Sequence, residues 1–100
     1  MTAQELEFQV LRHVEQSSSQ RSMADSIGFS VGKVNYVLKA LVEKGLIKAE
    51  RFINSKNKVQ YKYLLTEQGI KEKIALTEKY IEIKRREYDE LQRELKDMNI

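Results

Sequence analysis

No cysteine and no proline occur in this sequence, histidine occurs once, and glycine appears only at positions 28, 32, 45 and 69. Without cysteine there is neither a disulfide framework nor a thiolate metal site. The lone histidine, His13, has no neighbours in sequence suited to catalysis or metal binding. No glycine-rich phosphate loop and no nucleophile motif is present, so neither an enzyme nor a bound cofactor or metal is expected. There is also no long apolar run and no signal-peptide pattern. A soluble, intracellular (cytoplasmic) protein without a membrane partner is the expectation. With so few breaks, the chain should be mostly regular structure.

One hundred residues allow one domain, with room for an appendage. A chain this short is near the lower limit for a self-sufficient core and has reason to lean on a partner subunit. The net charge of +3 is modest, but it is unevenly placed. Residues 1 to 50 hold six bases and six acids, and residues 67 to 100 hold eight bases and nine acids. The surplus therefore lies in 51 to 66, where Arg51, Lys56, Lys58 and Lys62 meet no acid. A local basic strip suits contact with a polyanion. Lysines that keep a hairpin edge from aggregating would leave the same mark.

Thr2 followed by Glu5 is a capping-box pattern, and Leu6, Val10 and Val14 recur at helical spacing. They predict a first helix over about residues 3–15, closed by the polar run QSSSQ. Ser19 can cap a short helix from Gln20 to Ile27, with Met23, Ala24 and Ile27 inward. Gly28 then ends it, where a left-handed conformation is commonly needed. Ser30 caps a third helix that runs to about Lys44 and stops at Gly45. Two helices joined by a tight turn around Gly28 and Phe29 form a helix-turn-helix layout. After Gly45 the period changes. Residues 46–53 and 59–65 read as strands around the polar segment NSKNK, with Val59, Tyr61, Tyr63 and Leu65 on one face. A hairpin directly behind the third helix is a wing.

Val34, Val37, Leu38 and Leu41 should hold the third helix against the body. Lys33, Tyr36 and Lys39 then fall outward, with Asn35 beside them and Gly32 in the first turn. In a helix-turn-helix the N-terminal half of this helix enters the major groove. Asn35 has the paired donor and acceptor that adenine needs, Lys33 can donate to guanine, and Tyr36 can meet a thymine methyl or a phosphate. Gly32 lets the backbone approach closely. Ser30 at the start of this helix, and Ser19, Gln20 and Arg21 at the start of the second, can hold phosphates through free amides. Arg51, Asn54, Lys56, Asn57 and Lys58 of the wing would hold the flanking backbone. Each also has a plain structural reading: Ser30 as a cap, Gly32 as incidental, Lys33 and Lys39 as solvated residues.

Thr66 can cap a last helix of about 30 residues, roughly 45 Å long at 1.5 Å per residue. Along it Ile70, Ile74, Thr77, Ile81, Lys84, Tyr88, Leu91, Leu95 and Met98 follow alternating spacings of four and three, a heptad seam. One narrow apolar stripe on a densely charged helix needs a second helix, most simply its own copy. Folding back on its own body is the alternative. Thr77 and Lys84 weaken the seam, and Lys73 could meet Glu78 of a parallel partner, but the flanking charges leave the orientation open.

With these elements placed, the chain resembles the winged-helix transcription regulators of the MarR family over roughly residues 3 to 70. SQRSMADSIGFSVGKVNYVLKALVEKGLI, 19 to 47, is similar to the family's helix-turn-helix with its EKGLI exit. KVQYKYLLTEQG, 58 to 69, is similar to its strand leading into an LT-x-x-G helix start. The aromatic strand resembles most a compact bacterial subgroup associated with exopolysaccharide gene clusters. Two features depart from the pattern. Typical members carry a further N-terminal helix at the dimer interface, whereas here dimerisation would rest on the C-terminal helix, as in compact regulators resembling the PadR group. The usual wing also has Asp-x-Arg where this loop reads NSKNK, so lysines and asparagines would substitute for an arginine that reaches the minor groove.

The expected fold class is mainly α with a small β-hairpin. A winged helix-turn-helix DNA-binding domain would occupy 1–66, and a coiled-coil-like dimerisation helix 67–100. The function implied is a sequence-specific transcriptional regulator that binds double-stranded DNA as a homodimer on a roughly palindromic operator. Ile70, Ile74, Ile81, Tyr88, Leu91 and Leu95 would form the dimer interface. Larger members of the family often bind small phenolic ligands near the dimer junction, and a preformed effector pocket is not expected here. The rival reading is a winged-helix protein-interaction module whose long helix pairs with another chain. The modest net charge and the missing wing arginine favour that rival.

Overall fold

The computed structural model describes residues 1–17 and 19–99, so Ser18 of the QSSSQ run lies outside the described residues. In chain order the elements are α1 (Ala3–His13), α2 (Gln20–Ile27), α3 (Val31–Glu43), β1 (Ile47–Ile53), β2 (Val59–Leu65) and α4 (Glu67–Met98). This is the winged helix-turn-helix followed by a long helix, mainly helical. The caps explain the boundaries. Thr2 Oγ1 accepts from the Glu5 amide at 3.1 Å while the Glu5 carboxylate accepts from the Thr2 amide at 3.3 Å. Ser19, Ser30 and Thr66 each accept from the third residue of the helix that follows. α1 stops two residues short of the expected end because the Gln16 and Ser17 amides turn back onto the His13 carbonyl.

One core forms where the first three helices meet. Val10, Leu11, Val34, Leu38 and Leu41 are its most enclosed members, and Leu6, Phe8, Val14, Met23, Ala24, Val37, Ile47 and Leu76 complete it. The stripes expected on α1, α2 and α3 all point into it. Phe8 and Leu11 add a second row on α1.

β1 and β2 pair antiparallel, with Ile47 opposite Leu65, Ala49 opposite Tyr63, Arg51 opposite Tyr61 and Ile53 opposite Val59. That row shares one face. It packs against the helices at its root, where Ile47 is buried and Tyr63 and Leu65 are half-buried, and runs out into solvent toward the tip.

The end of α3, the exit of the wing and the start of α4 meet at one junction. α3 closes with a Schellman motif: the Gly45 amide donates to Val42 O and the Leu46 amide to Leu41 O, with Gly45 at φ 74°. Thr66 then binds this turn twice. Its hydroxyl donates to Gly45 O at 2.6 Å and its amide to Leu46 O at 3.1 Å. The same hydroxyl accepts from the Gly69 amide at 3.0 Å. Gly69 lies so close that an added Cβ would stand 1.8 Å from Leu46 O.

From this junction α4 leaves the body. Its first turns pack on α1 through Leu76 and Tyr80, whose ring stacks on Phe8 with centroids 4.9 Å apart. Beyond about Ile83 the helix stands free, and the chain extends 66 Å in its longest direction. Its Cα radius of gyration is 17.4 Å, against about 13 Å for a compact chain of this length. The fold-back alternative is therefore not adopted. The face of α4 held by α1 is offset from the heptad seam, and the seam itself lies exposed.

Gly69→Ala should destabilise the protein by more than about 2 kcal/mol, since the obstructing atom is backbone. Thermal unfolding checks it; a midpoint lowered by roughly 10 °C or more is expected.

Candidate nucleic-acid interface

α3 is fixed by its inner side. With Val34, Leu38 and Leu41 fully enclosed, the helix can turn only one other way, and Ser30, Gly32, Lys33, Tyr36 and Lys39 are all exposed there. Tyr36 is 69% exposed, high for so large an aromatic ring. The Lys33 ammonium sits 5.6 Å from its ring centroid, so the two form a cation–π pair across one helical turn. Ser30 Oγ caps the Lys33 amide at 3.2 Å. The two preceding amides, at the start of the helix, have no intrahelical acceptor and face outward with the positive end of the helix dipole.

Asn35 stands apart from this group. It is half-buried, and its Oδ1 lies 3.3 Å from Gln20 Nε2, which also reaches Tyr63 Oη at 3.3 Å. Three elements, α2, α3 and β2, are thus joined through one amide. Gln20 serves as a bridge, while its neighbours Ser19 and Arg21 are exposed. Ser19 Oγ caps the Ser22 amide at 3.0 Å. Sequence reasoning missed Tyr63, although its place on the inward face at the wing's root was the available signal.

The wing tip is built by its asparagines. Asn54 Oδ1 accepts from the Lys56 amide at 2.9 Å and the Lys58 amide at 3.0 Å, and its carbonyl accepts from the Asn57 amide at 3.0 Å. Asn57 holds φ 58°, a left-handed conformation that Asn tolerates better than most residues. These two side chains shape the turn, and Lys56 and Lys58 project from it into solvent. Arg51 is exposed on the same strand face as Tyr61. Of the four bases in the acid-free strip, Lys62 has Glu50 opposite it across the ladder. Among the described residues, Arg51, Lys56, Lys58, Lys33 and Lys39 form no ion pair with an acid. A hollow of about 540 Å³ separates α3 from the wing, bordered by Asn35 and Lys39 on one side and Ala49, Tyr61 and Tyr63 on the other. The outer face of α3 therefore adjoins the strand face of the wing near its root.

His13 is half-buried, with Nδ1 2.7 Å from the Gln9 carbonyl in its own helix. Among the described residues no group of three or more His, Cys, Asp or Glu could hold a metal ion, and no helix is long and apolar enough to cross a membrane.

Residues 5–48 match the model of the winged helix-turn-helix DNA-binding family. No curated protein sequence matches the chain. Among solved structures, MepR of Staphylococcus aureus in complex with DNA superimposes with a TM-score of 0.63 at 20% identity, over 98% of this chain and 76% of that one. MepR described as a transcription regulator of the multidrug efflux pump MepA gives 0.60 at 19% identity, over 98% and 77%. Staphylococcus aureus MarR with salicylate and kanamycin gives 0.57 at 22% identity, over 93% and 67%. At these identities the likeness is one of fold: the chain has the winged-helix fold of MarR-type regulators.

An added Cβ at Gly32 would meet nothing within 4 Å, so the fold does not require glycine there. Gly32→Ala is expected to stabilise the protein by roughly 0.5–1 kcal/mol, read as a higher unfolding midpoint.

Proposed function

We propose that this chain is a MarR-type winged-helix regulator of transcription that binds double-stranded DNA as a homodimer on a roughly palindromic operator. The observation that carries this reading is the outer face of α3 standing free beside the wing, whose tip lysines pair with no acid among the described residues. The match to a DNA-binding family model supports it, as does a fold shared with a protein solved on DNA.

In this reading the first two turns of α3 enter the major groove. Lys33 and Lys39 supply donors to guanine edges or phosphates, and Tyr36 meets a thymine methyl or a phosphate. Ser30 and the free amides beside it take a phosphate, as do Ser19, Gln20 and Arg21 at the start of α2. Asn35 reads from inside its bonded triad. One of its two polar groups is already engaged, so it presents the remaining one at an angle fixed by Gln20 and Tyr63. The wing delivers Lys56 and Lys58 to the flanking backbone as point charges without arginine's planar fork. Asn54 and Asn57 contribute by holding that turn. Dimerisation runs through Ile70, Ile74, Ile81, Tyr88, Leu91 and Leu95 of α4, all exposed.

Gel shifts and footprints on DNA upstream of its own and adjacent genes test the reading. Protection of a roughly symmetric site is expected, and no binding even at low salt, where phosphate contacts are strongest, would leave the protein-interaction module as the better account. Lys58→Ala should weaken binding to all sequences alike and lower the salt slope by about one. Asn35→Ala should instead reduce the preference for the operator, by roughly 1–3 kcal/mol. Gly32→Ala, though stabilising, should lower DNA affinity by crowding the groove. Sedimentation checks the pairing: Ile81→Asp should be monomeric at concentrations where the unmodified chain is dimeric.

A further inference from the structure

We infer that α4 pairs with α4 of a second copy in antiparallel orientation, overlapping along the whole of Glu67–Met98. This rests on the homodimer reading above and adds its orientation and register. The geometry begins with what α1 covers. It takes the side of α4 bearing Leu76 and Tyr80, and leaves Ile70, Ile74, Ile81, Tyr88, Leu91 and Leu95 between 49% and 63% exposed. The seam is open from the junction at Thr66 to the last turn except at Thr77, which is half-buried.

Lys73, Tyr80, Glu87 and Glu94 flank the seam on one side, and Lys71, Glu78, Arg85 and Gln92 on the other. Two such helices laid head to tail with full overlap have their two-fold axis between residues 82 and 83. Ile70 then packs on the partner's Leu95, Ile74 on the partner's Leu91, Thr77 on the partner's Tyr88, and Ile81 on the stem of the partner's Lys84. Along the flanks Lys73 meets the partner's Glu94, and Glu78 meets the partner's Arg85. Symmetry repeats both, which gives four pairs of unlike charge and none of like charge.

The other arrangements are poorer. Parallel pairing sets Lys73 against the partner's Glu78, but places Lys84 against the partner's Lys84 inside the seam. An antiparallel slip of one heptad toward the C-terminus brings Arg85 onto the partner's Arg85 and Glu87 onto the partner's Glu87. The opposite slip sets Lys71 on the partner's Arg85 and leaves Leu95 without a neighbour. Each exposed ion pair is weak, yet such pairs decide between arrangements that bury nearly the same apolar residues. In the favoured register the stretch 84–92 of the partner helix comes to lie beside the hollow of about 590 Å³ between α1 and α4, which Lys73, Thr77 and Ile81 border. The two winged-helix bodies sit at opposite ends of the pair.

The cysteine-free sequence makes the test direct. The double variant Ile74→Cys/Leu91→Cys should form a disulfide-linked dimer on mild oxidation, while either single variant stays unlinked. Ready self-linking of Ile74→Cys or Leu91→Cys alone would mean parallel helices and overturn the inference. No linking in any variant, with the unmodified chain still dimeric by sedimentation, would overturn it too while leaving the homodimer intact. A monomeric unmodified chain would sink the homodimer reading itself. As a second arm, Lys73→Glu should raise the dimer dissociation constant about tenfold, since two attractive pairs become repulsive. Adding Glu94→Lys should restore it; rescue by Glu78→Lys instead would again point to parallel pairing.

Discussion

The rest of the structure depends on the contact between Thr66 and the turn that ends α3. Its hydroxyl and amide both bind that turn, through Gly45 O and Leu46 O, and Gly69 brings the α4 backbone against the same residue. Three directions are set at once. The end of α3 fixes where its outer face points, Leu46 leads into β1, and Thr66 both closes β2 and caps α4. Because these bonds are made by backbone carbonyls and one short side chain, the elements cannot turn relative to one another without breaking several of them together. Local unfolding at this point would release the wing and the long helix in one step. Any strain that a partner applies to α4 would be felt at Leu46, three residues past the end of the helix that carries Lys33 and Tyr36.

α4 has more apolar surface than the body can use. Its first stripe, Leu76 and Tyr80 with Ile83 on the same side, meets α1 and is satisfied over about two turns. The second stripe begins one residue along at Ile70 and continues to Met98, well past the last contact with α1. A helix 32 residues long is about 48 Å from end to end, and the body spans only part of that. The outer half carries charges of both signs and is stable as a helix only with help, because helices in isolation gain little from propensity alone. An exposed row of Tyr88, Leu91 and Leu95 is too regular to be the scatter of apolar residues seen on any surface. A second helix of the same spacing answers both needs.

Much of this was legible because it is local. Caps at Thr2, Ser19, Ser30 and Thr66, glycines at 28 and 45, and the period change after Gly45 all act within a few residues, and each element lies within two residues of where those signals put it. The seam on α4 was legible for the same reason. Its neighbour was not: Leu76 and Tyr80 follow the same alternation one residue out of step, and only the position of Phe8 in space says which stripe faces inward. The candidate site divides in the same way. Residues that face outward on α3 follow from helical geometry. What Asn35 and Asn54 do depends on partners 15 residues away in one case and on the conformation of a turn in the other. A polar side chain at a site suggested by sequence can always be spent on structure, and both of these are, in part.

That spending bears on how the proposed regulator would discriminate sequences. With Asn54 and Asn57 shaping the wing, its lysines can grip phosphates but carry little information about bases. Asn35 is partly engaged, which leaves Lys33, Tyr36 and Lys39 as the free heads on the reading face. A good base contact is worth about 1–3 kcal/mol of discrimination, so a single copy with so few readers distinguishes its site only modestly from the surrounding excess of DNA. Two copies held at a fixed separation read twice the contacts, and they reject any pair of half-sites at the wrong spacing. Specificity in such a protein would then lie as much in the length and rigidity of α4 as in the face of α3. Here the junction at Thr66 gains its importance, because it is a covalent and hydrogen-bonded route by which the geometry of the pair reaches the residues that read.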